Sequence, residues 1–503
     1  MIKITQLFFL AQLIIFSNSY ISAKKQNVIL FLIDDLGWSD LSLTGSKFYE
    51  TPNIDRLAKE GVFFSDAYAA SSLCSPTRGS ILTGKYPSRI KMTYISGTSG
   101  PKGQGYPLNA PGSAGNINPK DITLAEALRS HGYKTVHIGK WHLQNHTDQG
   151  KTHYPEKHGF DLNIAGFRMG QPGSYFFPFK SERHPSTNVP GMEKGKIGDY
   201  LTDSLTDRAI QFINENKDQP FFLNFWYYTV HTPIQAKKEK IQKYTDKAKR
   251  LGLTQRFSQG TPVWKSMSRK QQSSPAYAAM VESMDENIGR LLKSLKKQKL
   301  ENDTLIIFFS DNGGLSTGSG PNMPTSCSPL KAGKGWLYEG GIRVPLIIKM
   351  PGKTKPGLKT KQPVLSTDLY PTILDLLDLP LIPEQHRDGL SLKNILNGEE
   401  KNLNRQALYF HLPHYHHINS MGPSGAIRTG KYKLIEVFET GEVELYDLEN
   451  DMGENTNLTS SNPLLAKKIL SQLHEWQKKS GVDMPTLNTG YLPEKDIRTK
   501  HKF

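Results

Sequence analysis

Cysteine is nearly absent. The 503 residues contain two, Cys74 and Cys327. That excludes a disulfide-stapled scaffold, and leaves a single 74–327 bridge or two inert buried thiols to be weighed against a chemical role. Long apolar runs are missing too: past the first 23 residues no stretch has the length of a membrane-spanning helix, so no membrane anchor is expected. No internal repeat is present, which excludes solenoids and propellers. Acidic residues are in deficit, with 47 Asp and Glu against 63 Lys and Arg and a formal net charge of +16. At 37% hydrophobic and 22% charged residues, the composition is that of a soluble globular protein rather than a disordered chain. The basic balance suits an anionic ligand such as a sulfated polymer, an acidic surface or nucleic acid, and equally a solvated basic face.

The N-terminus reads as a signal peptide. Lys3 supplies charge, residues 7–16 are apolar apart from Gln12, and residues 17–23 are polar and small, with a cut after Ala23. A soluble, exported protein is expected, periplasmic or secreted. The length fits one large α/β domain over residues 24–400 and a smaller α+β unit with a tail over 401–503.

Several short apolar runs end in polar residues. Residues 28–33 lead to Asp34 and Asp35, 305–309 to Ser310, Asp311 and Asn312, 135–138 to Lys140 and His142, and 221–230 to His231. Residues 344–348 form a further run, and all of these read as buried parallel strands. Helical patterns lie between them, over 53–59, 123–130 and the stripe Tyr277, Met280, Met284, Ile288, Leu291 and Leu295. The alternation predicts a doubly wound, mostly parallel sheet flanked by helices, with ligands beyond the carboxyl ends of its strands. Past residue 400, runs at 407–411, 425–437 and 443–448, then a helix opened by Asn462 and Pro463, predict a small antiparallel sheet with one helix. Residues 97–115 and 315–329 read as long loops.

Asp34, Asp35, Asp311 and Asn312 are hard oxygen donors. Three carboxylates at one site repel unless neutralised. Calcium accepts six to eight oxygens in loose geometry; magnesium is the alternative, with more retained water. The Cys74 segment runs Cys74-Ser75-Pro76-Thr77-Arg78-Gly79-Ser80-Ile81-Leu82-Thr83-Gly84. A thiolate-phosphatase loop fails on spacing, because the sixth residue after Cys74 is Ser80 and not arginine. A thiolate is also a soft ligand that suits calcium poorly.

Cys-x-Pro-x-Arg followed by Gly-x-x-Leu-Thr-Gly resembles the signature of type-I, formylglycine-dependent sulfatases, of the alkaline-phosphatase-like superfamily. Thr77 stands where many members have serine. Residues 27–37, Thr51 to Leu57, Gly139 to Leu143, Ser310 to Gly314, and Lys334-Gly335 with Tyr338 to Pro345 resemble further family segments in the expected order. The resemblance implies that Cys74 is oxidised to formylglycine by a maturing enzyme that reads Pro76 and Arg78. It implies one calcium ion held by Asp34, Asp35, Asp311, Asn312 and modified Cys74. Arg78 then holds the nucleophile's geometry, Lys140 and Lys334 offset sulfate charge, His231 is the acid for the leaving oxygen, and His142 is the base that releases sulfate. Trp141 reads as packing.

The implied partner is a sulfated oligo- or polysaccharide rather than nucleic acid: an algal galactan, ulvan or fucan, a mucin or a glycosaminoglycan, with a galactose-type unit favoured. Residues 151–175 resemble an insertion of bacterial polysaccharide sulfatases. His411, His414, His416 and His417 read either as lining the sugar pocket or as a solvated loop, and Lys85 and Arg89 as substrate contacts or solvated cations. The alternatives are a phosphonate or phosphate ester hydrolase of the same fold, and a non-catalytic glycan-binding homologue.

Overall fold

The structure, a computed structural model, describes residues 25–96, 98, 100–148, 150–259, 266–318, 322–416 and 421–496. The expected leader with its cut after Ala23, His417 and residues 497–503 lie outside the described residues. Among the described residues the main sheet has nine strands: β1 (Asn27–Ile33), β2 (Val62–Tyr68), β3 (Lys134–Gly139), β4 (Leu162–Ile164), β5 (Phe221–Trp226), β6 (Thr304–Ser310), β7 (Arg343–Lys349), β8 (Leu358–Thr360) and β9 (Val364–Leu365). Their order is β8-β2-β7-β6-β1-β5-β3-β4, with β9 also pairing β2.

β1 shows why the sheet is covered on both sides. Ile29, Phe31 and Ile33 enter one core with Leu57, Phe212 and Met280, whereas Val28, Leu30 and Leu32 enter the other with Leu82, Leu128 and Ile373. Successive strand residues face opposite sides. A run apolar at every position therefore needs helices on both faces. Each fully buried aliphatic or aromatic side chain contributes roughly 1.5–3 kcal/mol. Helices α1 (Pro52–Glu60), α4 (Leu201–Asn216), α5 (Lys238–Arg250) and α6 (Pro275–Lys297) supply one cover, and α2 (Cys74–Thr83) and α3 (Leu124–Ser130) supply the other. The six-residue stripe predicted for α6 is buried throughout. α3 begins at a capping box in which the Thr123 side chain and Glu126 satisfy each other's backbone N–H groups.

One strand departs from the expected direction. β1, β3, β4, β5 and β6 are parallel, but β7 runs antiparallel to both β2 and β6. After Ser310 the chain stays at the carboxyl edge of the sheet, where the Gly313 N–H donates to the Gly341 carbonyl at 2.9 Å. Between β6 and β7 the only helix among the described residues is the four-residue Glu339–Ile342. A parallel return requires a crossover to the opposite edge, so the chain re-enters from the edge it already occupies. The two long loops also carry short strands, Leu108–Asn109 and Thr317–Gly318.

The C-terminal region forms a four-stranded antiparallel meander, Leu408–Leu412, Ser424–Thr429, Tyr432–Val437 and Glu442–Asp447. The apolar stretch 425–437 is two strands, because Gly430 turns the chain at φ 55°. One face packs Ile427, Leu434 and Leu445 against Ile469 and Leu473 of the helix Pro463–Ser480. The other packs Phe410, Ala426 and Ile435 against Tyr68, Leu73 and Trp336 of the main unit. The second face therefore braces the segment leading into α2. Among the described residues no helix is long and apolar enough to cross a membrane.

Candidate active site

Four strands deliver polar residues to one edge. β1 ends at Asp34 and Asp35, β6 at Asp311 and Asn312, and β3 at Lys140, while β5 leads by a short loop to His231. Asp35 and His142 both have φ 59°, in the left-handed region that these residue types enter more readily than most.

Cys74 is the first residue of α2, all ten residues of which are buried. Pro76 sits in the first turn, where a missing N–H costs no intrahelical bond. Gly79 is required by packing: a Cβ there would lie 2.7 Å from Cδ1 of Ile90. Gly84 ends the helix at φ 66°, donating its N–H to Ser80. The signature is thus largely a fully buried helix whose first residue is aimed at the strand ends.

Arg78 projects from this helix with no exposure. Its Nε and Nη2 donate to Oδ2 of Asp311 at 2.9 and 2.7 Å, and its Nη1 donates to the Lys140 carbonyl at 2.8 Å. Lys140 Nζ donates to both oxygens of Asp34 at 2.8 Å. Lys334 Nζ donates to Asp35 at 2.8 Å, and Asn312 Nδ2 donates to the same carboxylate at 2.8 Å. His231 Nε2 lies 3.6 Å from Asp35. His142 Nδ1 lies 3.3 Å from the Cys74 sulfur. The Asp35 N–H, which donates to Asp311, joins the two carboxylate groups, and Cys74 and His142 form a pair beside them, Cys74 lying one turn of α2 before Arg78.

The electrostatics follow from burial. The Asp34 carboxyl is raised well above the usual range by burial, against the pull of Lys140. Burial acts the same way on Asp35, but Lys334, His231 and Lys140 prevail and hold it below that range. Burial raises the Cys74 thiol, with Lys140 and Lys334 opposing. It stays a protonated thiol near neutrality and is a weak nucleophile as it stands. His142 is held well below its ordinary value by burial and by Lys140. His231 is lowered to about 3 by burial and Lys334, with Asp35 opposing. Both imidazoles are neutral in the free site.

The charge argument from sequence needs revision. Asp34, Asp35 and Asp311 are balanced by Lys140, Lys334 and Arg78, so repulsion alone does not call for a cation. A hard cation fits for another reason: Oδ1 of Asn312 is buried with no partner beside these carboxylates, and such an atom is costly unless something binds it. Asp34, Asp35 and His231 place ligand atoms within 4.8 Å of one another. Asp311 is more committed, one oxygen taken by Arg78 and the other by the Asp35 N–H at 3.1 Å.

The 74–327 bridge is overturned, since both cysteines are free. Cys327 donates to the Gly314 carbonyl at 3.5 Å, and burial pushes its thiol up to about 12. Lys85 pairs with Asp121 at 2.5 Å and Arg89 with Asp388 at 2.7 Å, so neither is an uncommitted cation. Trp141 is buried, stacked on Trp226 at 6.0 Å, as expected of packing.

Comparison with known proteins decides the family. The family model described as Sulfatase matches residues 26–379. The chain belongs to the sulfatase family. It is a sulfuric ester hydrolase of the type-I class, on the alkaline-phosphatase-like fold. A second model, N-sulphoglucosamine sulphohydrolase C-terminal, matches residues 332–480. A sulfatase of Formosa agariphila is 32% identical over 95% of this chain and 94% of its own. The N-acetylgalactosamine-6-sulfatase of Canis lupus familiaris is 30% identical over 75% of this chain and 66% of its own. The crystal structure of Ps i-CgsB in complex with k-i-k-neocarrahexaose superposes with a TM-score of 0.69 at 30% identity, covering 90% of this chain and 93% of that one.

Some neighbours of the site carried no sequence signal. Ser75 Oγ donates to the His142 carbonyl at 2.9 Å and accepts the Ser96 N–H at 3.0 Å. His146 stacks on His142 at 5.4 Å. Gly170, within the expected insertion, leaves room for the His142 ring, since a Cβ there would lie 2.5 Å from Cε1. Tyr94 lies just before the glycine-rich stretch 97–115 and in no motif. Of the histidine cluster, His414 is fully buried and His411 nearly so, and these two are not in a solvated loop.

Proposed function

We propose that the chain hydrolyses sulfate esters of a sulfated carbohydrate, a galactose-type unit of an algal galactan being the best fit, after Cys74 is oxidised to formylglycine. The observation that carries this reading is the placement of Cys74. Its thiol is kept protonated by burial, yet it opens a buried helix within reach of Lys140, Lys334 and His142. A structural cysteine has no use for two lysines and an imidazole. An oxidised residue 74 has use for all three.

Asp34, Asp35, Asp311 and Asn312 are the residues that would hold calcium together with residue 74. The formylglycine hydrate supplies a hydroxyl nucleophile toward sulfur, and calcium supplies Lewis-acid polarisation of a sulfate oxygen. Arg78 fixes Asp311 and the Lys140 main chain, so α2 and two strand ends move as one body. Lys140 and Lys334, each with a carboxylate behind it, offset charge that grows on the sulfate oxygens. His231 faces the leaving oxygen. Its neutral state at rest changes when a sulfate adds negative charge beside it, which raises an imidazole's proton affinity. His142, adjacent to residue 74, takes the proton whose loss frees sulfate.

Support for a carbohydrate substrate comes from the neocarrahexaose bound by one structural relative and the amino-sugar sulfate named for another. Export with loss of residues 1–23, to the periplasm or medium, and units at 24–400 and 401–503 belong to the same reading, as does a maturing enzyme as partner. The test is the mass of the tryptic peptide Glu60–Arg78 from protein made with a formylglycine-generating enzyme. The mass loss of thiol becoming aldehyde is expected, together with sulfate release from ι-carrageenan oligosaccharides. An unmodified thiol in every preparation would overturn it.

A further inference from the structure

We infer that Ser75 and Gly170 are positioning residues for His142, one holding its main chain and the other its ring, and that losing either slows sulfate release while sparing ester cleavage. This rests on the sulfatase reading above and adds two residues that no motif marks for the task.

A catalytic imidazole is commonly oriented by a hydrogen bond at the ring nitrogen that does not react. His142 has none. Its Nδ1 faces the Cys74 sulfur at 3.3 Å, and its Nε2 is buried with no partner. Its backbone also lies in the left-handed region, at φ 59°, which a residue other than glycine keeps only where its surroundings hold it there. The ring is therefore fixed by something other than its own nitrogens.

The main chain is held from both sides. The His142 N–H donates to the Phe167 carbonyl at 3.1 Å, and the His142 carbonyl accepts from Ser75 Oγ at 2.9 Å. Ser75 Oγ accepts the Ser96 N–H at 3.0 Å as well, so its one proton is committed to His142. Ser75 and Arg78 are three positions apart on α2 and share a face of it. Arg78 donates to the Lys140 carbonyl at 2.8 Å. The helix that carries Cys74 thus grips the chain on either side of Trp141, and one rigid piece sets both residue 74 and its base.

The ring is held by shape. His146 stacks on it with centroids 5.4 Å apart and planes inclined by 15°. A Cβ at position 170 would lie 2.5 Å from Cε1, 2.7 Å from Nε2 and 2.9 Å from Nδ1. Gly170 is outside the left-handed region, so space for the imidazole, and not backbone freedom, calls for glycine there.

The step served is the one assigned above to His142. A proton passes from an oxygen of residue 74 to Nδ1, that oxygen's electron pair restores the aldehyde, and sulfate departs with the electrons of its bond to carbon. Ester cleavage draws instead on Lys140, Lys334 and His231. Substitution at Ser75 or Gly170 therefore separates the two halves of the reaction.

The test follows alcohol and sulfate separately after rapid mixing of 4-nitrophenyl sulfate or ι-carrageenan oligosaccharides with matured wild type, Ser75→Ala and Gly170→Ala. Rates are taken per oxidised residue 74, counted by peptide mass. For Ser75→Ala the first equivalent of alcohol per site should appear at the wild-type rate. Steady-state kcat and KM should then fall together by about tenfold, the size of one lost hydrogen bond, with kcat/KM unchanged. Gly170→Ala should show the same burst and a larger fall. Ester cleavage slowed as much as sulfate release, or no change at all, overturns the role of the residue concerned. Crystal structures of the unmatured proteins give a readout apart from activity: the separation of Nδ1 from the Cys74 sulfur, 3.3 Å here, should lengthen in both variants, and an unmoved imidazole overturns the inference. A matured wild type that cleaves no sulfate ester removes the sulfatase reading and the kinetic half of this inference, while the structures still decide whether the two residues hold the ring.

Discussion

Two buried clusters of acids and bases lie close together in this molecule, and only one has the makings of an active site. The first joins Asp34, Asp35 and Asp311 to Lys140, Lys334 and Arg78 at the carboxyl edge of the main sheet. The second joins Glu339 and Glu454 to Lys433, at 3.0 and 2.8 Å, and Asp66 to Arg343 and Arg428, where the C-terminal meander meets the main unit. Burial and charge balance are similar in both. The difference is position along the strands. Asp66, Lys433 and Arg428 lie within strands, and Asp66 and Arg428 line a cavity of their own, whereas the first cluster hangs from strand ends and includes His231 and Lys334. Buried ion networks thus do not by themselves mark function. What sets the first cluster apart is a cysteine and two imidazoles gathered at strand ends.

The comparison breaks most sharply at Cys74. Cys74→Ala should lower kcat by ~10³-fold or more, since loss of a covalent nucleophile leaves only binding and electrostatic terms; near wild-type turnover would remove the first cluster's claim. Calcium chelation should cost ~10²-fold reversibly, the scale of a removed electrostatic stabiliser, with activity restored by calcium in the same assay.

The paired test sets His231 against Lys433. His231→Ala should reduce saccharide kcat by ~10²-fold or more, as for a lost general acid, with the thermal midpoint nearly unmoved. Lys433→Met should do the reverse, destabilising by about 3–5 kcal/mol because two carboxylates lose their buried cation, with kcat per folded molecule retained. Urea unfolding and turnover on the same samples separate the two, and a swapped pattern would erase the distinction.

A subtler test uses pH. Burial raises the Glu454 carboxyl to about 7 from an ordinary 4.5, with Lys433 opposing and Glu339 adding to the rise. The folded state holds this proton more tightly than the unfolded chain, so stability falls as pH climbs from about 4.5 to about 7. Glu454→Gln should remove that fall, so the midpoint difference between variant and wild type should widen across the window and then level off. A constant difference would contradict the assignment. The smallest effect is expected at Lys85. Lys85→Ala should change saccharide kcat/KM by no more than about twofold, because its ammonium is taken by Asp121 in a pair of the kind worth only ~0–1 kcal/mol.

Much of this fold is legible in the sequence. The apolar runs ending in Asp34, Asp311 and Lys140, the six-residue stripe of α6 and the 123–130 helix start are contiguous patterns, and strand and helix periodicity acts over a few neighbours. The cysteine signature was legible for the same reason: Pro76, Arg78, Gly79 and Gly84 serve one helix. Local sequence therefore determined which segments become strands and helices, and which chemical groups stand at their ends.

Tertiary structure decided direction and partnership. The run 344–348 carries no mark of antiparallel pairing, since direction depends on which edge the preceding 30-odd residues leave the chain at. Lys334 finds Asp35 across 299 positions, and Arg78 finds Asp311 across 233. The charge balance of the site, and its remaining reason to bind a cation, the unpartnered Asn312 oxygen, exist only after those pairings. Tyr94 and His416, 322 residues apart, meet because the C-terminal meander packs its second face on Tyr68 and Leu73. Such pairs form by burying surface between distant segments, and burial is non-directional and blind to sequence separation. Spacing along the chain carries no trace of them.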